Sequence, residues 1–193
     1  MKKYVSVWML LARSTIYKIL DVSVLAAIVE FILFYRTYKK EVFSEMFQLE
    51  YVVAQSGIMW VFVVLVILTI ILLGQNGYEF TGKQSYTWKR LQITEKSIFL
   101  LQVTYNVACF LMVWAIQLFV AILFGKLYLN WTTPQLISGQ TLFLAFYRSN
   151  FLHTLLPLED IVIWIRNFVV IVLWSVICAN LPKRQRRERV YEK

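Results

Sequence analysis

The sequence predicts an all-α fold, a polytopic bundle of transmembrane helices, and three observations carry this prediction. Of its 193 residues, 60% are hydrophobic and 16% are charged, whereas a soluble globular domain is about 45–50% apolar and about 25% charged. The mean hydropathy is +0.63. The hydrophobic residues also occur in long blocks, which is typical of helices that cross a membrane. A disordered chain, a disulfide scaffold and a cytosolic enzyme all fit these observations poorly.

Four segments have about the length that a helix needs to cross the hydrocarbon core, roughly 20 apolar residues. Two of them, at about 57–75 and 98–122, contain no charged residue. The other two, 19–35 and 161–181, carry charged residues in an otherwise apolar run. The segment 140–158 is apolar but contains a proline and several polar residues. We therefore expect it to form a re-entrant or interfacial element on the outer side, in preference to a fifth span.

The two ends of the chain differ from the spans in composition. Residues 1–18 can place apolar side chains on one broad helical face and basic and hydroxyl side chains opposite, which predicts an amphipathic helix lying in the membrane interface. A solvated leader is the alternative interpretation. Residues 182–193 are too charged to enter the bilayer, and we expect them to form a basic cytoplasmic tail.

The distribution of lysine and arginine predicts the orientation, because positive charge collects on the cytoplasmic side. With four spans, fourteen of these residues lie on the side of the two termini and five on the other side. Both termini are thus expected in the cytoplasm, in a multi-pass protein of the bacterial inner (plasma) membrane. The net charge of +9 then follows from topology, so we expect the basic tail to meet anionic lipid headgroups and not nucleic acid.

The sequence lacks the motifs of enzymes. It contains no glycine-rich phosphate-binding loop, no zinc-protease motif and no serine nucleophile motif. A single histidine, His153, and two cysteines inside apolar blocks, Cys109 and Cys178, give no ligand set for a metal. We expect no catalytic residue, cofactor or metal in this chain.

Two charged residues inside the predicted spans can neutralise each other. Glu30 lies five residues inside the outer end of the first span, and Arg166 lies five residues inside the outer end of the last. At about 1.5 Å per residue, both sit roughly 7–8 Å below the outer boundary. An unpaired charge at that depth costs several kcal/mol. We predict that they form an intramembrane pair, either as a clamp between helices or as the polar lining of a substrate path; outward extension of the Arg166 side chain is a further alternative.

Three amides interrupt the third span: Gln102, Asn106 and Gln117. Gln102 and Asn106 are four residues apart and share a helical face. Amides in membrane helices commonly donate hydrogen bonds to a neighbouring helix. Helix packing is the expected role of all three, with contact to a transported substrate as the alternative.

The segment between the second and third spans carries the most specific pattern. It runs from Glu79 and Gly82 through a short amphipathic stretch, in which Trp88 and Leu91 share one side, to the expected helix cap Thr94. The order Glu, Gly, Tyr-Thr, Arg-Leu and Thr-Glu resembles the cytoplasmic coupling segment of membrane subunits of type-2 ABC transporters, the exporter-like permeases. The residues that carry this resemblance, together with Trp88, form the predicted docking loop: Glu79, Gly82, Tyr86, Thr87, Trp88, Arg90, Leu91, Thr94 and Glu95.

The resemblance covers roughly residues 1–123. It implies a permease subunit, shortened or accessory because such subunits usually have six spans. It also implies a separate ABC ATPase subunit that docks on the loop, and either another permease subunit or a second copy of this chain. The alternative is a membrane protein that transports nothing and acts through interaction, such as an immunity protein, a sensor or an assembly factor.

Overall fold

The computed structural model describes residues 2–41, 48–76, 94–132 and 141–191, of which about 93% are helical and none lies in a strand. The predicted all-α class is confirmed for this part of the chain. Its helices, numbered in chain order, are α1 (Lys2–Glu41), α2 (Leu49–Ser56), α3 (Ile58–Gln75), α4 (Glu95–Trp131), α5 (Thr141–Arg148), α6 (Asn150–Leu155) and α7 (Ile161–Tyr191).

Three helices within the described residues are long and apolar enough to cross a membrane, namely α3, α4 and the part of α7 from Ile161 to Arg184. They correspond to three of the four predicted spans. The fourth predicted span, 19–35, lies in α1, which is not among these three helices. Only seventeen residues separate Lys18 from Arg36, and they include Asp21 and Glu30. The span over 19–35 therefore stays a prediction.

Helix α1 continues through the boundary that the sequence suggested between residues 18 and 19. No glycine or proline lies between Lys2 and Glu41, so nothing in the local sequence breaks the helix. Its buried residues recur at intervals of four, at Val7, Leu11 and Ile19 among others. This stripe packs against protein, while Val5 and Met9 of the predicted interfacial face are exposed.

The other predicted boundaries also differ from the helix ends. The segment 140–158 contains two short helices, α5 and α6, which meet at Ser149. Each is far shorter than a membrane span, so no single helix crosses here. Helix α7 continues beyond residue 181 to Tyr191 with Pro182 inside it. The predicted tail is thus helical for most of its length.

The chain divides into two compact units. Unit 1 comprises Met1–Val22, Ile67–Met112 and Phe168–Lys193. Its helices are joined by polar contacts and by contacts of aromatic rings. Phe110 packs against Trp174 at a centroid distance of 6.0 Å, and the ammonium of Lys183 lies 4.5 Å from the centroid of the Phe99 ring.

Unit 2 comprises Ser23–Val66 and Val113–Asn167 and contains an aromatic core. Phe34 of α1 stacks on Phe124 of α4 at 4.9 Å. The indole nitrogen of Trp114 donates a hydrogen bond to the carbonyl of Leu155 at 3.0 Å, which fixes the end of α6 to α4. These contacts bury apolar side chains of α1, α2, α4, α5 and α6 in one cluster.

Gly57 makes the turn between α2 and α3, with a left-handed backbone at φ +72°. A Cβ atom added there would meet no atom within 4 Å, so only the backbone conformation opposes a larger residue. We expect Gly57→Ala to lower the free energy of unfolding by about 1 kcal/mol, measured as a lower melting temperature in detergent. Gly57→Asn should lose less, because asparagine tolerates this conformation. Equal stability of all three proteins would contradict the expectation.

Candidate functional site

The predicted docking loop lies mostly outside the described residues, and this applies to Glu79, Gly82, Tyr86, Thr87, Trp88, Arg90 and Leu91. Thr94 and Glu95 are described. Glu95 is the first residue of α4, and the carbonyl of Thr94 accepts the first hydrogen bond of that helix, from the Ile98 amide at 3.1 Å. The Thr94 hydroxyl lies 2.8 Å from that of Ser97. Thr94 thus occupies the capping position expected from the sequence, because its carbonyl already accepts a helical hydrogen bond.

A buried polar cluster lies where the chain leaves α3 toward this loop. Asn76, the residue after α3, is 5% exposed and binds two other helices. Its side-chain oxygen accepts a hydrogen bond from the Ser14 hydroxyl at 2.8 Å, and its amide nitrogen donates to the Thr15 hydroxyl at 3.2 Å. Its backbone carbonyl accepts a hydrogen bond from Nε2 of Gln102 at 2.8 Å. Asn76 therefore connects the end of α3 to α1 and to α4.

The cluster extends along α4 through Tyr105. The hydroxyls of Thr15 and Tyr105 lie 2.7 Å apart. Trp8 packs edge-on against the Tyr105 ring at 5.7 Å. We call Ser14, Thr15, Asn76, Gln102 and Tyr105 the Asn76 network. All five belong to unit 1, so the network is a property of that unit alone.

The second amide of α4 binds a different helix. Asn106 is fully buried, and its Nδ2 donates a hydrogen bond to the backbone carbonyl of Ser175 in α7 at 3.1 Å. Its side-chain oxygen has no hydrogen-bond partner among the described residues. Gln102 and Asn106 thus each reach a neighbouring helix, which is the geometry of helix packing.

In unit 2, the buried carboxylate of Glu30 is bound by Gln117. Glu30 is 0% exposed, and Nε2 of Gln117 lies 2.9 Å from each of its carboxylate oxygens. Arg166, the partner predicted from depth alone, has an exposed side chain and makes no ion pair in the described part of the chain. The structure therefore joins two residues that the sequence had assigned to separate roles, and it leaves the predicted Glu30–Arg166 pair unformed.

The space beside Gln117 is small. A cavity of about 10 Å³ lies between α2, α4 and the short helices, lined by Gln117, Phe124 and Leu152 among others. That volume holds about one water molecule. In this conformation, the cavity is too small to admit a larger solute to Gln117.

The described residues bring together no candidate metal site. They contain no group of three or more histidine, cysteine or acidic side chains that could hold a metal ion. Cys109 and Cys178 are both buried and free. His153 lies 3.5 Å from the carboxylate of Asp160 through its Nε2 atom.

The contacts of Asn76 were not predicted from the sequence, because its neighbourhood has the pattern of a simple turn. One signal was present: Asn76 follows a long uncharged helix directly and precedes the predicted docking loop. A polar residue at such a junction has both backbone and side-chain groups to satisfy. The contact partners themselves, 61 and 62 positions away in the chain, leave no local pattern.

No protein-family model matches the chain, and neither the search of curated proteins nor the search of solved structures found a match. The features that bear on function are those of the chain itself: the predicted docking loop, the Asn76 network and the Glu30–Gln117 contact.

Proposed function

We propose that this chain is a membrane-spanning subunit of an ABC transporter complex. It carries no nucleotide-binding motif, so a separate ATPase subunit binds and hydrolyses ATP. That subunit docks on the loop from Glu79 to Glu95, and its movement shifts the membrane helices between two packings that favour opposite sides of the membrane.

The observation that carries the proposal is the position of the Asn76 network. Asn76 follows α3 immediately and precedes the predicted docking loop, while Gln102 lies seven residues after Glu95 in α4. Both flanks of the loop are therefore joined by a hydrogen bond of 2.8 Å. The same asparagine is bound to α1 through Ser14 and Thr15. A displacement of the loop would be transmitted to three helices through short contacts that are buried or part-buried.

Charge and helix number support the rest of the arrangement. The excess of lysine and arginine on one side favours both termini in the cytoplasm of a bacterial cell, with the protein in its plasma membrane. The basic residues that follow Leu181 favour contact with anionic lipid headgroups. The four predicted spanning helices barely enclose a path, so the complex also contains another permease subunit or a second copy of this chain.

Co-purification in gentle detergent tests this function. The tagged chain should recover a nucleotide-binding subunit in stoichiometric amount, identified by mass spectrometry. The double variant Trp88→Ala/Leu91→Ala should lose that partner while entering the membrane in normal amount, because the aromatic and aliphatic groups of the loop are its expected contact surface. As a matched control, Trp60→Ala/Leu68→Ala removes the same residue types from exposed positions of α3 and should keep the partner.

Two results would contradict the proposal. Recovery of the chain alone, or with a partner that binds no nucleotide, would favour a membrane interaction protein without transport. Retention of the ATPase by the loop variant would show that docking occurs elsewhere.

A further inference from the structure

A cavity of about 600 Å³ in unit 2 combines opposite charges with an apolar wall. It lies between α2, the first residues of α3 and the junction of α5 with α6. Its polar lining includes Gln48, Glu50, Arg148, Ser149 and Asn150. Its volume falls in the range of small-molecule sites. We call it the Glu50–Arg148 cavity.

The two charges of the cavity are paired loosely. The guanidinium nitrogen Nη1 of Arg148 lies 3.5 Å from Oε1 of Glu50, and the side chains are 56% and 22% exposed. A solvent-exposed pair of this kind contributes little stability. A ligand that brings both a negative and a positive group can therefore replace it, giving each residue a new partner without leaving a charge unpaired.

The apolar part of the cavity adjoins the first turn of α3. Val53, Met59 and Phe151 contribute to its wall. Met59 lies in the first turn of α3, an uncharged helix long enough to span a membrane. Met59 and the next residue, Trp60, are 54% and 71% exposed, and tryptophan is enriched where a span meets the headgroup layer. The cavity thus lies at one end of a candidate membrane-spanning helix, beside an exposed apolar helix surface.

From this placement we propose that the Glu50–Arg148 cavity binds the headgroup of a zwitterionic phospholipid with a primary ammonium group, phosphatidylethanolamine. Arg148 binds the phosphate, and Glu50 accepts hydrogen bonds from the ammonium. The acyl chains lie along the exposed surface of α3. A quaternary ammonium headgroup has no N–H to donate to Glu50, and a purely anionic headgroup is repelled by it. This binding site is independent of the transport function proposed above.

Native mass spectrometry of the detergent-purified full chain tests the site. The chain is mixed with equal amounts of phosphatidylethanolamine, phosphatidylcholine and phosphatidylglycerol carrying the same acyl chains. We expect phosphatidylethanolamine to bind at one copy with about tenfold preference over the other two, the size expected from losing one charge-assisted hydrogen bond. Glu50→Gln should shift the preference to phosphatidylglycerol, because it removes the repulsion of that anionic headgroup. Arg148→Gln should lose the binding of both phosphatidylethanolamine and phosphatidylglycerol, because it removes the contact to the phosphate.

Matched controls and a soluble competitor make the result decisive. Glu159→Gln and Arg36→Gln neutralise exposed charges of unit 2 outside the cavity and should keep the wild-type preference. Soluble glycerophosphoethanolamine should not displace the lipid, since it lacks acyl chains. Equal binding of the three lipids, loss of preference in the controls as large as in the cavity variants, or displacement by the soluble competitor would each overturn the proposal.

Discussion

Replacing Gln117 by leucine should destabilise the protein more than any other single amide substitution in α4. The change removes the donor that lies 2.9 Å from both oxygens of the fully buried Glu30 carboxylate. Leaving a buried acidic group without its partner lowers the free energy of unfolding by about 2 kcal/mol or more. For a chain of this size, that corresponds to a fall in melting temperature of roughly 4–8 °C. Thermal unfolding of the detergent-purified protein, followed by size-exclusion chromatography, measures it.

A double-mutant cycle separates this contact from general damage to the core. Glu30→Leu/Gln117→Leu should recover most of the stability lost by either single change, because replacing both polar partners by apolar groups leaves none unsatisfied. Gln55→Leu, at an exposed position of α2, is the matched control and should have little effect. Pairing of Glu30 with Arg166 would instead show coupling between Glu30→Leu and Arg166→Leu, and none with Gln117→Leu. That result would contradict the contact described here.

In the proposed transporter complex, Asn76→Ala should uncouple the ATPase subunit from this chain without releasing it. The substitution removes the hydrogen bonds to Ser14 and Thr15 and leaves the backbone acceptor of Gln102 in place. If the Asn76 network transmits movement from the docking loop, transport per ATP hydrolysed should fall about five- to tenfold, the usual size of a coupling between sites. The measurement is transport and ATP hydrolysis by the reconstituted complex, at equal amounts of assembled protein.

Two controls distinguish coupling from folding. Asn130→Ala removes the same side chain from an exposed position of α4 and should keep normal coupling. Thr15→Val removes the hydroxyl that Asn76 and Tyr105 share at nearly constant volume, and it should reproduce part of the loss. Unchanged coupling in Asn76→Ala, or loss of the ATPase from the complex, would show that the network is a structural contact only.

The helical class and three helices long and apolar enough to cross a membrane could be predicted from sequence because a membrane imposes a simple rule. A segment in hydrocarbon must satisfy its own backbone hydrogen bonds and be apolar over its length, and the blocks at α3, α4 and α7 obey it. The prediction for residues 1–41 was less successful. It placed a boundary after Lys18 from the change in composition, whereas the absence of any helix-breaking residue keeps α1 continuous.

Contacts between distant residues could not be predicted in the same way. The partner of Glu30 was sought by charge and depth, which favoured Arg166. The actual donor, Gln117, is 87 positions away. Whether it faces Glu30 depends on how α1 and α4 pack. Burial favours a neutral amide over a guanidinium at such a position, since the arginine reaches solvent and keeps its hydration. The Asn76 network also depends on how the helices pack, so it could not be predicted from the sequence.

The apolar lengths of the spans carry a consequence for the lipid around them. Helix α3 has 18 residues, about 27 Å, whereas the uncharged stretch of α4 from Ser97 to Gly125 measures about 43 Å at 1.5 Å per residue. A hydrocarbon core of about 30 Å matches the first and is much too thin for the second without a steep tilt. A thicker bilayer would relieve the mismatch of α4 and create one at α3. The two helices therefore fit bilayers of different thickness, and a change in bilayer thickness shifts their relative stability.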